Sequence, residues 1–147
     1  MNDAPIQLLL ADDDIDDCNL FVEVLRELPL LTQLSMVHNG EQLVQMLLKF
    51  VTLPAALFLD LNMPRKNGLE CLAEIRSHDK LKDFPVIIYS TSFEPAVIDL
   101  LYKKGAYYYI RKPAEFPKLK QVIHRGIMLA INRMGPQPEK ESFVIQP

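Results

Sequence analysis

The chain has 147 residues, 49% of them hydrophobic and 24% charged, with a formal net charge of −3, which suits one domain with a real core. A pI near 5.6 argues against non-specific nucleic-acid binding, which needs a basic surface. No apolar run approaches the ~20 residues of a membrane span, no signal peptide is apparent, and Cys18 and Cys71 form no CxxC pair and have no His at metal-ligand spacing, so the expectation is a soluble, cytoplasmic protein with two reduced thiols.

Residues 6–11 are an apolar run too short for a helix and bounded by acids, and read as the first strand. Residues 14–28 carry Ile15, Cys18, Phe21, Val22 and Leu25 at helical spacing; acids in the first turn suit the positive end of the helix dipole, and Pro29 marks the end. A weak second strand at 34–37 closes on the turn signal His38-Asn39-Gly40, and residues 41–50 form a second helix with Leu43, Val44, Leu47 and Leu48 on one face. The third strand, 55–59, runs into Asp60; a loop at 64–68 leads to a helix at 69–77. A fourth strand at 84–89 precedes a helix at 94–104 that Gly105 stops as a left-handed cap. Residues 107–110 are the fifth strand and 114–134 a long fifth helix.

Five strands alternating with five helices imply a parallel sheet covered on both faces. With right-handed crossovers the common order is 2-1-3-4-5, a flavodoxin-like α/β fold. Residues 1–134 are expected to be the domain. Residues 135–147, with three prolines, read as a tail too short for an output domain.

Polar patches follow four of the apolar runs: Asp12-Asp13-Asp14, Asp60, Ser90-Thr91 and Lys112-Pro113. In an open α/β sheet the strands' C-terminal ends share one edge, where ligands bind. Gathering Asp12, Asp13 and Asp60 there costs about several kcal/mol of like-charge repulsion unless something compensates, and Mg2+, a hard cation bound by one or two carboxylates, is the natural compensation. The alternative is that the run 12–17, where five of six residues are acidic, only caps and solvates the first helix. That suits Asp14, Asp16 and Asp17 better than Asp12 and Asp13, given Asp60 at the same edge. Asp60 itself is either a solvated strand end or a placed nucleophile, since a carboxylate can attack phosphorus. Ser90 can donate to a phosphoryl oxygen and Lys112 can pair with carboxylate or phosphate, although each alone reads as a strand-end hydroxyl and a surface lysine. Pro113 ends the strand ladder and sets the turn into the last helix.

Together the segments LLLADDD (8–14), LFLDLNMPRKNG (57–68), PVIIYSTS (85–92) and GAYYYIRKP (105–113) stand in the order and spacing of the receiver domain of bacterial two-component response regulators, which the chain resembles over residues 6–134. The resemblance implies that Asp60 is the phospho-acceptor, that Asp13 ligates Mg2+ directly and Asp12 mainly through water, and that Asn62 offers the metal a backbone carbonyl. It implies that Ser90 and Lys112 hold the phosphoryl group and that Tyr109 is the aromatic switch. Asn62 and Ser92 match positions that tune phosphate lifetime, and Gly68 fits the turn entering the third helix. The implied partners are a histidine kinase or phosphotransfer protein and a downstream protein target. No helix-turn-helix follows, so direct DNA binding is not expected. Catalysis is expected only for the chain's own phosphorylation and dephosphorylation.

Three other readings compete. A phosphatase of the haloacid dehalogenase type needs a second acid two residues after the nucleophile, where Asn62 stands. The first loop of an FMN protein must welcome a phosphate, which Asp12-Asp13-Asp14 repels without a metal. A receiver-fold adaptor that works without phosphorylation is the third.

Two apolar features fall outside that site. In Tyr107-Tyr108-Tyr109, strand alternation sends Tyr108 to the face opposite the other two; either all three pack under helices or one lies in a partner or dimer surface. Phe143, Val144 and Ile145 form an apolar cluster in a polar tail. Among receivers resembling those paired with phytochrome-type histidine kinases, such extensions can contribute to dimers, so the tail is read as assisting a homodimer or as a disordered end.

Overall fold

The first apolar run becomes β1 (Ile6–Ala11) in a computed structural model that describes residues 4–133 and 135–147. Leu8 and Leu10 point into one core and Leu9 and Ala11 into the other, which is why the run is continuously apolar. The chain continues through α1 (Ile15–Glu27), β2 (Thr32–Val37), α2 (Gly40–Lys49), β3 (Ala56–Leu59), α3 (Gly68–Ser77), β4 (Val86–Ser90), α4 (Pro95–Lys103), β5 (Tyr108–Arg111) and α5 (Phe116–Ile131). The strands are parallel and follow the expected order β2-β1-β3-β4-β5, with a short β6 (Val144–Ile145) added beside β5. Helices α1 and α5 cover one face; α2, α3 and α4 cover the other.

Local chemistry starts three helices at the edge where the strands end. Asp14 caps α1 by accepting from the Asp17 N–H, and Asn39 does the same for α2 from Gln42. Asn67 opens α3 with a reciprocal capping box to Glu70. Gly105 adopts the left-handed conformation expected of it, with φ 95°.

Gly68 is required for a different reason. A Cβ there would lie 2.5 Å from the Asp60 carbonyl oxygen, and the Gly68 N–H donates to the Leu61 carbonyl at 2.9 Å. The loop thus closes tightly on the end of β3. Gly68→Ala is expected to destabilise the protein by about 1–3 kcal/mol through this overpacking. An unchanged melting temperature would show that the loop gives way freely.

The sheet has one strand more than the five expected. Residues 135–147 return along the far edge instead of trailing away, with Phe143 and Ile145 2% and 3% exposed. The apolar cluster that suggested a dimer or a disordered end is therefore buried against its own sheet. The helix α5 ends at Ile131; the expected last residue, Met134, lies outside the described residues. All three tyrosines are buried, but the alternation is broken at one end. Tyr107 precedes β5 and packs edge-on against Tyr108, ring centroids 4.7 Å apart, while Tyr109 faces the opposite core. Both cysteines are buried free thiols, and burial pushes each to about 11. Among the described residues, no helix is long and apolar enough to cross a membrane.

Candidate phosphoryl and metal site

The C-terminal ends of β1, β3, β4 and β5 bring together Asp12, Asp60, Ser90 and Lys112, residues 22 to 100 positions apart in sequence. Asp12 is fully buried, Asp60 is 6% exposed and Ser90 is fully buried. One ligand oxygen from each of Asp12, Asp13 and Asp60 lies within 4.8 Å of the others, and Asp13 is the exposed member. The Lys112 ammonium donates to Asp12 Oδ2 at 2.7 Å and to Asp17 Oδ2 at 2.8 Å, and sits 4.0 Å from Asp60 Oδ1. It also lies 4.7 Å from the centroid of the Tyr89 ring, a cation–π contact that supports it from below the edge.

The backbone of the first loop is clamped. The Asp12 carboxylate accepts from the Asp14 N–H at 3.0 Å. The Asp12 carbonyl accepts from His38 Nδ1 at 3.0 Å, which fixes the proton on that nitrogen, and from the Cys18 thiol at 3.5 Å. On the other side, Ser90 Oγ accepts from the Ser92 N–H at 3.2 Å, and the Tyr109 hydroxyl donates to the Ser92 carbonyl at 2.5 Å. Tyr109 has no exposed surface.

The electrostatics follow from burial. Burial pushes Asp60 up to about 6; Lys112 and the Asn62 backbone N–H oppose the rise, while the charges of Asp12 and Asp13 add to it. Burial also raises Asp12, outweighing its hydrogen bonds from Lys112 and from the Asp14 backbone. Burial works to depress Lys112, but its hydrogen bonds to Asp12 and Asp17 prevail and hold it above the usual lysine range. Among the described residues, the Lys112 ammonium thus meets Asp12, Asp17 and Asp60 at an edge that Asp13 shares. That donor set, hard oxygens with an excess of negative charge and one solvent-facing member, fits a divalent cation.

Every site residue expected from the sequence, namely Asp12, Asp13, Asp60, Asn62, Ser90, Tyr109 and Lys112, comes to this one edge. Asn62 is exposed, and Ser92 links Ser90 to Tyr109. Two contributors were not anticipated. Asp17 reads from the sequence as a solvated helix-start acid, yet it binds Lys112; its place three residues after the Asp14 cap, one turn into α1, is the signal the sequence offers. His38 reads from the sequence as part of a turn, and nothing local in the sequence marks its reach to the Asp12 carbonyl.

In an open parallel α/β sheet, such an edge at the strands' C-terminal ends is where ligands bind. The family model for the response regulator receiver domain matches residues 8–124, and the chain belongs to that family. The response regulator Rcp1 of Synechocystis sp. is 28% identical over 127 residues, 83% of this chain and 86% of that protein. Among solved structures, the phosphorylated cyanobacterial phytochrome response regulator RcpA has a TM-score of 0.81 at 28% identity, covering 90% of this chain and 98% of that one. The Mn2+-bound form of Rcp1 has a TM-score of 0.75 at 27% identity, covering 91% of this chain and 99% of that one. A response regulator in red light signaling of R. palustris has a TM-score of 0.80 at 26% identity, covering 92% and 99%.

Proposed function

We propose that this response regulator receiver accepts a phosphoryl group on Asp60 from a phosphohistidine of a histidine kinase or phosphotransfer protein. The observation that carries the reading is the convergence of Lys112 and the carboxylates of Asp12 and Asp13 on Asp60. In the transfer an Asp60 carboxylate oxygen attacks phosphorus, a P–O bond forms, and the P–N bond breaks with its electron pair leaving on the imidazole. Lys112 offers its charge to the transferred oxygens and Ser90 its hydroxyl. Asp12, Asp13, Asp60 and the Asn62 carbonyl are the groups that would hold Mg2+. Bound there, Mg2+ supplies neutralisation of the phosphoryl charge.

Phosphorylation adds charge next to Ser90, and the hydrogen-bonded link from Ser90 through Ser92 to Tyr109 carries that change toward α4 and β5. A downstream protein reads the altered surface, as expected of a two-state element biased by a local charge event. The chain acts on no outside substrate beyond its phosphodonor, and the reading puts it in the cytoplasm with its kinase.

The test is intact mass after incubation with acetyl phosphate, with and without Mg2+. A Mg2+-dependent phosphoryl adduct on the wild type that is absent from Asp60→Asn is the expected result. No adduct under either condition would favour an adaptor that works without phosphorylation.

A further inference from the structure

We infer that Phe143, delivered by the C-terminal segment, is a positioning residue that holds the Tyr109 ring inward and thereby sets how tightly the Asp60 site keeps a phosphoryl group. The inference rests on the phosphoryl reading of that site for its consequence, but not for its geometry.

The segment is fixed from both ends. Gln137 Nε2 donates to the Tyr102 and Ala106 carbonyls at 2.6 and 2.7 Å, and the Tyr102 hydroxyl donates to the Pro138 carbonyl at 2.8 Å. Lys140 pairs with Asp99 on α4. Further on, the Tyr109 N–H donates to the Phe143 carbonyl at 3.0 Å, and Val144 and Ile145 register against Tyr109 and Ile110. These contacts attach the segment to α4 and to β5 on either side of Tyr109's own strand position.

Between the anchors the Phe143 ring is pressed inward. Its centroid is 5.1 Å from Tyr102 and 6.4 Å from Tyr109. On another side Phe93 meets Tyr109 edge-on at 6.4 Å, with the Arg111 guanidinium over the Phe93 ring. Tyr109 is thus enclosed between two aromatic rings, with its hydroxyl directed to the Ser92 carbonyl. Ser92 in turn donates its N–H to Ser90 Oγ. One contiguous path of packed rings and hydrogen bonds therefore runs from the C-terminal segment to the hydroxyl at the site.

A smaller residue at 143 leaves Tyr109 unsupported on the segment's side and opens an outward rotamer. The segment favours only the inward state, so it biases the equilibrium in proportion to that difference. Linkage makes the coupling reciprocal: a segment that holds Tyr109 inward strengthens phosphoryl binding by the factor by which phosphoryl binding strengthens the segment's hold.

The test uses the full chain carrying fluorotyrosine, with the Tyr109 19F signal assigned by Tyr109→Phe, and beryllofluoride with Mg2+ as the phosphoryl mimic. In the wild type one buried Tyr109 signal is expected, with saturable beryllofluoride binding. In Phe143→Ala a second, solvent-exposed Tyr109 signal appears before any mimic is added, and half-saturation rises about fivefold or more. Phe143→Leu recovers most of both. Gln137→Ala, which loosens the segment without touching the rings, moves both in the same direction and serves alone if Phe143→Ala does not fold. A folded Phe143→Ala or Gln137→Ala in which either readout stays at its wild-type value overturns the inference. If the wild type binds no beryllofluoride, the phosphoryl reading fails, and the Tyr109 signal in the variants alone decides the positioning role.

Discussion

Lys112→Ala is expected to lose about 3–5 kcal/mol of stability at neutral pH in metal-free buffer and to form little or no acetyl-phosphate adduct. The ammonium is 7% exposed and donates to Asp12, whose side chain has no exposed surface, and to Asp17. Removing it strands a buried carboxylate that, among the described residues, keeps the hydrogen bond from the Asp14 backbone N–H, and takes away the positive charge that offsets the repulsion among Asp12, Asp13 and Asp60. Solvent screening, which makes surface pairs nearly worthless, does not apply at this burial. Denaturant melts check the size of the effect. Lys112→Met, which keeps the volume of the stem but not the charge, separates lost packing from lost charge, and millimolar Mg2+ is expected to restore part of the stability in both variants. An unchanged unfolding midpoint in Lys112→Ala would mean that the lysine does not compensate the acidic edge.

Asp60→Asn should behave oppositely in the metal-free protein, becoming more stable than the wild type at pH 7.5. The folded-state value for Asp60 is about 6, against an ordinary 3.8. The folded chain therefore holds this proton more tightly than the unfolded chain. Above pH 6 the ionised carboxylate costs on the order of 2–3 kcal/mol; the cost fades as the pH falls from about 6 toward 4 and vanishes only below the ordinary 3.8, where both states are protonated. The stability difference between variant and wild type, measured by thermal or denaturant unfolding across pH 4 to 8, should shrink on acidification, and the comparison cancels the other carboxylates as long as they respond equally in both proteins. Mg2+ should narrow the difference at pH 7.5 by favouring the ionised wild type. A variant less stable than the wild type at pH 7.5 without metal, or a gap independent of pH, would show that burial does not strain Asp60. The two substitutions thus probe one conflict from its two sides: carboxylates buried together at this edge oppose the stability of the fold, and Lys112 offsets them.

The physics of single segments made most of this protein readable. Continuous apolar runs bounded by acids could only be buried strands, the period in α1 and α2 faced one stripe to the sheet, and Gly105 stood where a helix needs a left-handed stop. The convergence of Asp12, Asp60, Ser90 and Lys112 was legible because a parallel α/β topology forces every strand's C-terminal end to one edge, so position along the chain translates directly into position in space. Asp17 was misread because a helix-start acid is ordinarily explained by the dipole, and only the arrival of Lys112 from 95 residues away gives it a partner. Tyr107 was misplaced because alternation holds only inside a strand, and it lies one residue before β5.

The parallel sheet, the helices on its two faces and the gathering of Asp12, Asp13 and Asp60 at one edge are legible in the sequence, since each follows from local periodicity, caps and a fixed topological rule. The course of residues 135–147, the grip of His38 on the Asp12 carbonyl and the enclosure of Tyr109 by Phe93 and Phe143 emerge with the folded chain. The physical reason is the same in each case. A two-residue strand, a single imidazole and a lone aromatic ring carry no period and no cap of their own. Their placement is set by the vacant edge of β5, by the loop geometry around Asp12 and by the space beside Tyr109, all of which exist only once the rest of the chain has folded.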